Sequence, residues 1–208
     1  MFGTGSYFSL EDKSSTDLQS IYGIWDKNVA TVSTSNAAAT TPTLNRASLQ
    51  QQAFSQESSL SGKAVRVLSN NSVNWSAASG WYLDLAYGGV QLGERMVDPM
   101  TASGQALFFS TITPNSEVCA AGISGWTYAV DPSSGGRTTF NVFDLNGDGV
   151  VNAADSSNDT VISGFDMPAG GTTLSGSQLG STDANLTTIN KGPQASGRQT
   201  WRVIPQPQ

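Results

Sequence analysis

An all-β protein built of antiparallel sheets is the fold that this sequence predicts, and three observations carry it. Short runs of β-branched and aromatic residues recur between turn signals. No helical period persists along the chain. Glycine pairs, Gly88-Gly89 and Gly135-Gly136, stand where hairpins would turn, and no lysine-bearing phosphate loop follows either. The candidate strands are 19–25, 64–68, 80–85, 95–98, 106–113, 125–131, 137–143 and a final 200–204. In 80–85, Trp81, Leu83 and Leu85 fall on one face, the period of a half-buried strand. In 125–131 the large residues Trp126, Tyr128 and Val130 alternate with Thr127 and Ala129. Leu107-Phe108-Phe109 is apolar on both faces and predicts a strand covered on both sides. Four strands between residues 80 and 131 predict one up-and-down sheet.

The connections predict irregular structure. Residues 28–45 are rich in Ala, Thr and Ser with no periodicity, which predicts an exposed loop or a tether between sheets. Residues 167–197 carry Gly, Ser and Thr with few large apolar residues and predict an irregular surface segment. One helix candidate, 46–56, is glutamine-rich and would suit a strand equally. Pro205 and Pro207 stop the last strand, because proline cannot continue a ladder.

Composition narrows the function. The 208 residues suffice for a sizeable core; 38% are hydrophobic and only 12% charged, so hydroxyls and amides solvate the surface, as is common in secreted β proteins. The net charge of −6 comes with no cluster of Lys or Arg, which argues against a nucleic-acid partner. No apolar run is long enough for a membrane helix. The opening residues lack the pattern of a secretory leader, so an exported protein would have lost it. Histidine is absent, which removes Ser-His-Asp and Cys-His nucleophile systems and histidine zinc sites. The lone Cys119 forms no internal disulfide and is expected as a small buried hydrophobe. Trp25, Trp75, Trp81, Trp126 and Trp201 are expected to fill sheet cores, with Trp75 the most exposed of them. Asp84, Glu94 and Asp98 are expected as surface or turn carboxylates rather than paired acids of a glycosidase.

One stretch carries chemistry. Asp144-Leu145-Asn146-Gly147-Asp148-Gly149-Val150-Val151-Asn152-Ala153-Ala154-Asp155 reads D-x-N-x-D-G-x5-D, the pattern of a calcium loop of EF-hand or dockerin type. Alternate residues of a tightly coiled loop point inward, so Asp144, Asn146 and Asp148 can offer side-chain oxygens to one Ca²⁺ ion and Val150 its carbonyl. Gly149 permits the sharp turn. Asp155 holds position 12, where an EF-hand prefers Glu, so closing the cage would need the backbone nearer the ion. Dockerins carry two such loops, and one is visible here.

Several strings, taken in order, resemble a known family. They are Phe2-Gly3-Thr4-Gly5-Ser6-Tyr7, Ser20-Ile21-Tyr22-Gly23-Ile24-Trp25-Asp26, Gly80-Trp81-Tyr82-Leu83-Asp84-Leu85 and Gly93-Glu94-Arg95-Met96-Val97, followed by Ser124-Gly125-Trp126, the loop 144–152 and Ser196-Gly197-Arg198-Gln199-Thr200-Trp201-Arg202. Together they resemble the C-terminal region of PilY/PilC-type type IV pilus biogenesis and tip adhesin proteins. The resemblance is weakest in 27–62 and 165–192. It implies the last blades of a modified β-propeller carrying a calcium loop: 1–79 a penultimate blade with an exposed loop 27–62, 80–143 the last blade, 144–155 the calcium loop, and 156–208 an irregular segment with a closing strand. In the family's nine-residue loop an Asp closes the cage; here that position is Asn152, and Asp155 would compensate at position 12.

The resemblance further implies a non-enzymatic, calcium-binding structural and adhesion module at the cell surface. Its partners would be pilins or minor pilins at the pilus tip, with host or abiotic surfaces beyond them. A secreted carbohydrate-active or quinone-dependent propeller enzyme with a structural calcium is the alternative.

Overall fold

Two-residue alternation inside the longer strands sets the architecture. The computed structural model describes residues 1–25, 44–114, 124–168, 172–182 and 184–193. Its strands are β1 (Phe2–Gly3), β2 (Ser20–Ile24), β3 (Gln50–Gln52), β4 (Phe54–Leu60), β5 (Lys63–Leu68), β6 (Gly80–Asp84), β7 (Thr101–Ser103), β8 (Ala106–Thr113) and β9 (Ser124–Val130). They continue as β10 (Ser156–Ser157), β11 (Thr160–Val161), β12 (Gly164–Pro168), β13 (Thr172–Ser175), β14 (Gln178–Ser181) and β15 (Leu186–Thr188). The helical content of the described residues is three single 3₁₀ turns.

A six-stranded antiparallel sheet, β4-β5-β12-β9-β8-β7, forms the centre. Its inner strands bury side chains on both faces. Val65, Val67, Phe108, Ala129 and Phe165 point one way, into a core completed by Val142, Phe143, Leu145, Ile162, Leu179 and Ile189. Leu68, Leu107, Phe109, Tyr128 and Val130 point the other way, against Ile21, Trp81, Leu83 and Leu85. The second face is covered by the four-stranded sheet β1-β2-β6-β3. The first is covered by the run from Val142 to Ile162 and by the three-stranded sheet β13-β14-β15.

Trp81 shows how closely the layers meet. Its indole lies flat against backbone at Gly23 and Gly135, where a Cβ would stand 2.2 Å from the ring at each position. Its Nε1 donates to the Pro132 carbonyl at 3.1 Å. Only glycine permits that approach on both sides, and Gly135 also takes φ +70° in the turn after β9.

A buried polar cluster ties the central sheet to the segment after β6. Arg66 of β5 donates from Nη1 to Glu94 Oε2 at 2.5 Å and to Tyr128 Oη at 2.7 Å, and from Nε to Glu57 Oε2 at 2.6 Å. Glu94 Oε1 receives the hydroxyls of Thr111 at 2.7 Å and Tyr128 at 2.8 Å. The Arg66 guanidinium also covers the Trp126 ring at 3.8 Å. Breaking one partner of such a buried pair typically costs about 3–5 kcal/mol, because the other charge is left stranded. Burial opposes the charge on Arg66, yet the Tyr128 phenol and Glu94 facing it hold the guanidinium above its ordinary range. The neighbouring Arg95 donates to the carbonyls of Gly93, Ser6 and Ser15, and so fastens the segment before β2.

The all-β expectation and five of the strand expectations hold closely, but several details differ. Residues 95–98 make no strand: only Arg95 pairs, with Ile112, before Pro99 intervenes. Residues 137–143 bridge at their ends alone, at Val130↔Arg137 and Phe143↔Ile189, because the Thr138 hydroxyl turns to the Phe140 carbonyl instead of leaving the backbone for a ladder. The candidate helix 46–56 is one 3₁₀ turn (Arg46–Ser48) capped by Asn45, then β3 and part of β4. Buried Gln52 donates there to Asn71 and Ser134 carbonyls. The expected exposed loop 27–62 therefore contains sheet from residue 50 onward. Residues 167–197 hold a sheet rather than an irregular segment, anchored by Leu179 and Ile189 in the core.

The expected single up-and-down sheet over 80–131 is divided: β6 belongs to the four-stranded sheet, and β12 inserts between β5 and β9. A boundary at 79/80 consequently separates no sheet from another, since the central sheet draws on both sides of it. Trp25 is the exposed tryptophan; Trp75 is half-buried and edge-on to it at 5.6 Å. Cys119, Trp201 and the strand expected at 200–204 lie outside the described residues.

Removing the Tyr128 hydroxyl takes one partner from both Arg66 and Glu94, so Tyr128→Phe is expected to lower unfolding free energy by about 1–3 kcal/mol in denaturant melts. The phenol's pKa is raised well above its ordinary 10.0 by burial first and by Glu94 second. Its stabilising contribution is therefore complete below pH 10.0 and is lost as pH climbs from there toward the folded value. Between about pH 8 and pH 11 the native chain should lose more stability than Tyr128→Phe does.

Candidate functional site

The loop 144–155 begins inside the core. Val142, Phe143 and Leu145 are buried, and the chain is clamped to the end of β15 by Asn190 N–H to the Val142 carbonyl (2.8 Å) and Asp144 N–H to the Thr188 carbonyl (2.9 Å). Position 1 of the loop is thus fixed by packing and by a ladder before any loop chemistry applies.

From there side-chain oxygens take over the work of a ladder. Asp144 accepts the Gly147 N–H on Oδ1 and the Gly149 N–H on Oδ2, both at 2.8 Å. Asn146 Oδ1 accepts the Asp148 N–H at 3.0 Å, and Asp148 Oδ1 accepts the Val150 N–H at 2.8 Å. Asp155 accepts Leu145 N–H at 2.8 Å and Asn146 N–H at 3.2 Å on Oδ1, and Asn152 N–H at 2.9 Å on Oδ2. Gly147 and Gly149 supply the positive φ, +76° and +85°, that coils the chain around Asp144. These are Asx turns in succession, the reason Asp and Asn recur at alternate positions.

The sequence-marked residues divide into two groups. Asp144, Asn146 and Asp148 line the coil, and Asn146 Nδ2 donates to Asp148 Oδ2 at 3.0 Å. Val150 has an exposed side chain and a carbonyl reached by Asn152 Nδ2 at 3.4 Å. Asn152 and Asp155 work as a capping box on the turn Ala153–Asp155, with Asn152 Oδ1 accepting the Ala154 N–H at 2.7 Å. Asp155 is 1% exposed and both its oxygens are engaged by backbone. Among the described residues no three His, Cys, Asp or Glu side chains gather as a ready cation cage.

The electrostatics of the loop are one-sided. Asp144, Asp148 and Asp155 put three carboxylates within twelve residues, while the ion pairs among the described residues are made by Asp84, Glu57, Glu94 and Asp12 instead. Asp144 is 5% exposed, so two of the three carboxylates are taken largely out of water. Every donor the loop can offer a metal is a hard oxygen, from carboxylate, amide or carbonyl, which suits Ca²⁺ and gives a softer metal nothing to prefer. The donor chemistry therefore fits calcium.

Asp84, Glu94 and Asp98 form no acid pair, but Glu94, expected with the others as a surface or turn carboxylate, is buried. Asp84 accepts from Ser20 at 2.6 Å and is ion-paired with Arg46, while Glu94 is consumed by Arg66, Thr111 and Tyr128. The Arg66 cluster itself escaped sequence reading. Its signal was Arg66 inside the apolar run Lys63–Leu68, in register with Leu68, a charge on a face that alternation assigns to the core.

With this geometry in hand, relatives can be compared. No family model matches the chain. A type IV pilus biogenesis factor of Pseudomonas aeruginosa, PilY1, is 38% identical over 225 residues, which cover 98% of this chain and 19% of that protein. A Xylella fastidiosa homologue of PilY1 is 32% identical over 215 residues, covering 99% of this chain and 16% of that one. The crystal structure of the P. aeruginosa PilY1 C-terminal domain matches at TM-score 0.77 and 38% identity over 92% of this chain and 41% of that chain.

The chain is homologous to the PilY1 C-terminal domain. It spans about a fifth of the length of the curated PilY1 relatives it matches, 19% for the P. aeruginosa protein. The all-β architecture of antiparallel sheets agrees with the PilY1 C-terminal domain, and the family resemblance drawn from short strings is sustained along the whole chain.

Asp155 stands apart from the metal question because it braces the loop by itself. Asp155→Asn would turn an amide N–H₂ toward N–H groups that need an acceptor. It should cost about 1.5–3 kcal/mol in denaturant melts run with a calcium chelator present.

Proposed function

We propose that this chain is a calcium-binding structural and adhesion module of a type IV pilus-associated surface protein, supporting pilus assembly and attachment, without catalytic turnover. The pilus role rests on homology to PilY1, a type IV pilus biogenesis factor. Pilins or minor pilins at the tip are the partners this implies, and host or abiotic surfaces the adhesion targets. In a longer protein of the PilY1 kind, the four- and six-stranded sheets would stand as blades of a modified β-propeller; the described residues contain no closed ring of sheets.

The calcium reading rests on a single observation: Asp144, Asn146 and Asp148 line one glycine-turned coil, and neither carboxylate pairs with a Lys or Arg among the described residues. Asp144, Asn146, Asp148 and the Val150 carbonyl would hold the ion, with the Asn152 amide closing a nine-residue loop. Asp155, committed to backbone, would shape that loop from behind. Bound Ca²⁺ would supply the positive charge that the carboxylates lack and cross-link the coil. At about 1 mM external calcium and a site of about 10 μM, binding would add about 2.7 kcal/mol. That is a large share of the ~5–15 kcal/mol typical of a domain.

Calorimetric titration and thermal melts test this directly. Calcium should bind at one site of micromolar to submillimolar affinity and raise the melting temperature. Asp148→Ala should abolish the calcium-dependent increment while leaving the fold in chelator largely intact. Asn152→Asp should tighten binding by adding a carboxylate at the closing position. A melting temperature indifferent to millimolar calcium would overturn the calcium reading and leave the pilus homology standing.

A further inference from the structure

The central sheet ends at β4, and among the described residues β4 pairs with β5 alone. Its register is broken once, between Phe54 and Gln56, and is regular from Gln56 to Leu60. Open edges of natural sheets are usually blunted by lysine, proline or a covering element. The stretch Gln56-Glu57-Ser58-Ser59-Leu60 has neither lysine nor proline, and its one charge, Glu57, folds back onto Arg66; Ser157 of β10 touches the Gln56 and Ser58 side chains but adds no ladder to β4 among the described residues.

Beside that edge, on the face opposite the calcium loop, lies a cavity of about 200 Å³ lined by Glu57, Arg66, Leu85, Tyr87, Leu92 and Glu94, among others. Ligand pockets for cofactors and drug-sized molecules usually run to about 300–1,000 Å³, so this one suits a single large side chain. Its wall is apolar, and Leu92 at its rim is 53% exposed. Its floor is polar in both senses. Arg66 is 6% exposed by side chain, and its Nη2 has no hydrogen-bond partner among the described residues. Glu57 spends Oε2 on Arg66 and keeps Oε1 uncommitted. One Arg against two Glu makes the floor net negative, which disfavours an acidic guest.

We propose that β4 and this cavity form a strand-addition site for an extended segment of a partner polypeptide that anchors a tyrosine in the cavity. The partner backbone would complete the ladder along Gln56–Ser59, as in β-augmentation, where main-chain bonds give affinity and a side-chain pocket gives selectivity. The tyrosine ring meets the apolar wall. Its hydroxyl accepts from Arg66 Nη2 and donates to Glu57 Oε1, a pairing that a phenylalanine leaves unmade and a glutamate replaces with a second carboxylate against Glu57.

The peptide acetyl-Lys-Thr-Val-Tyr-Val-Thr-Lys-amide tests this by fluorescence anisotropy against the whole chain, beside counterparts with Phe, Gly or Glu at the centre. The Tyr peptide should bind roughly tenfold or more tightly than the Gly and Glu peptides, with the Phe peptide between. Binding should slow hydrogen exchange of the β4 amides, and methylating alternate peptide nitrogens should abolish it. Leu92→Asp, a surface change expected to leave the melting temperature unmoved, should weaken the Tyr peptide roughly tenfold. Absence of binding by every peptide at about 1 mM, equal affinity for Tyr and Gly, or undiminished binding to Leu92→Asp would each overturn the proposal, as would protection, in the chain alone, of the β4 amides that face away from β5.

Discussion

Everything in this molecule answers to a central sheet that is apolar on both faces. Phe108 and Phe109 are adjacent in β8 and both 2% exposed, so two separate layers must be found to cover them. On one side the answer is regular: β2 and β6 lay Ile21, Trp81 and Leu83 against Phe109 and Tyr128. On the other side it is largely irregular. Val142, Phe143, Leu145 and Ile162 arrive from a run that forms no long strand, and its backbone must find hydrogen bonds elsewhere. The Asp and Asn side chains of the loop 144–155 supply them. Its carboxylates are structural first, because they let an irregular covering layer exist at all, and the negative charge they gather is what a cation would relieve.

The opposite layer carries a different solution to burying polarity. Arg66 projects into the apolar interface and is matched by Glu94, Tyr128, Thr111 and the flank of Trp126. A buried charged cluster of this kind adds less net stability than an apolar core of equal volume, but it penalises any misregistration of β5, β8 and β9. It also leaves a charged donor, Arg66 Nη2, near β4, which pairs with β5 alone among the described residues. Both surfaces proposed for function would therefore be by-products of covering the same sheet.

How far the sequence discloses this depends on the kind of signal. A strand with strict alternation, such as Trp81-Tyr82-Leu83, is legible because burial on one face writes itself every second residue. The strands β13, β14 and β15 were not, since Ser, Thr and Gly dominate them and Leu179 anchors them through tertiary contact alone. The order of the central sheet was also hidden: β12 enters between β5 and β9 from a distant part of the chain, which local pattern does not encode. In the loop, the oxygen-bearing positions were legible, but the division of labour was not. Asn152 and Asp155 looked interchangeable as closing residues by spacing. Burial and the capping of Ala153–Asp155 commit Asp155 to the backbone.

The claim that cation charge and covering layer act together is tested most directly by residue-resolved hydrogen exchange with and without calcium. A coupled layer predicts that millimolar calcium slows exchange at Leu145, Gly147 and Gly149, and that the slowing spreads through the Asp144–Thr188 contact into β14 and β15. Exchange that is unchanged by calcium throughout 144–189, or a change that stops at the loop while β14 and β15 exchange as before, would contradict it.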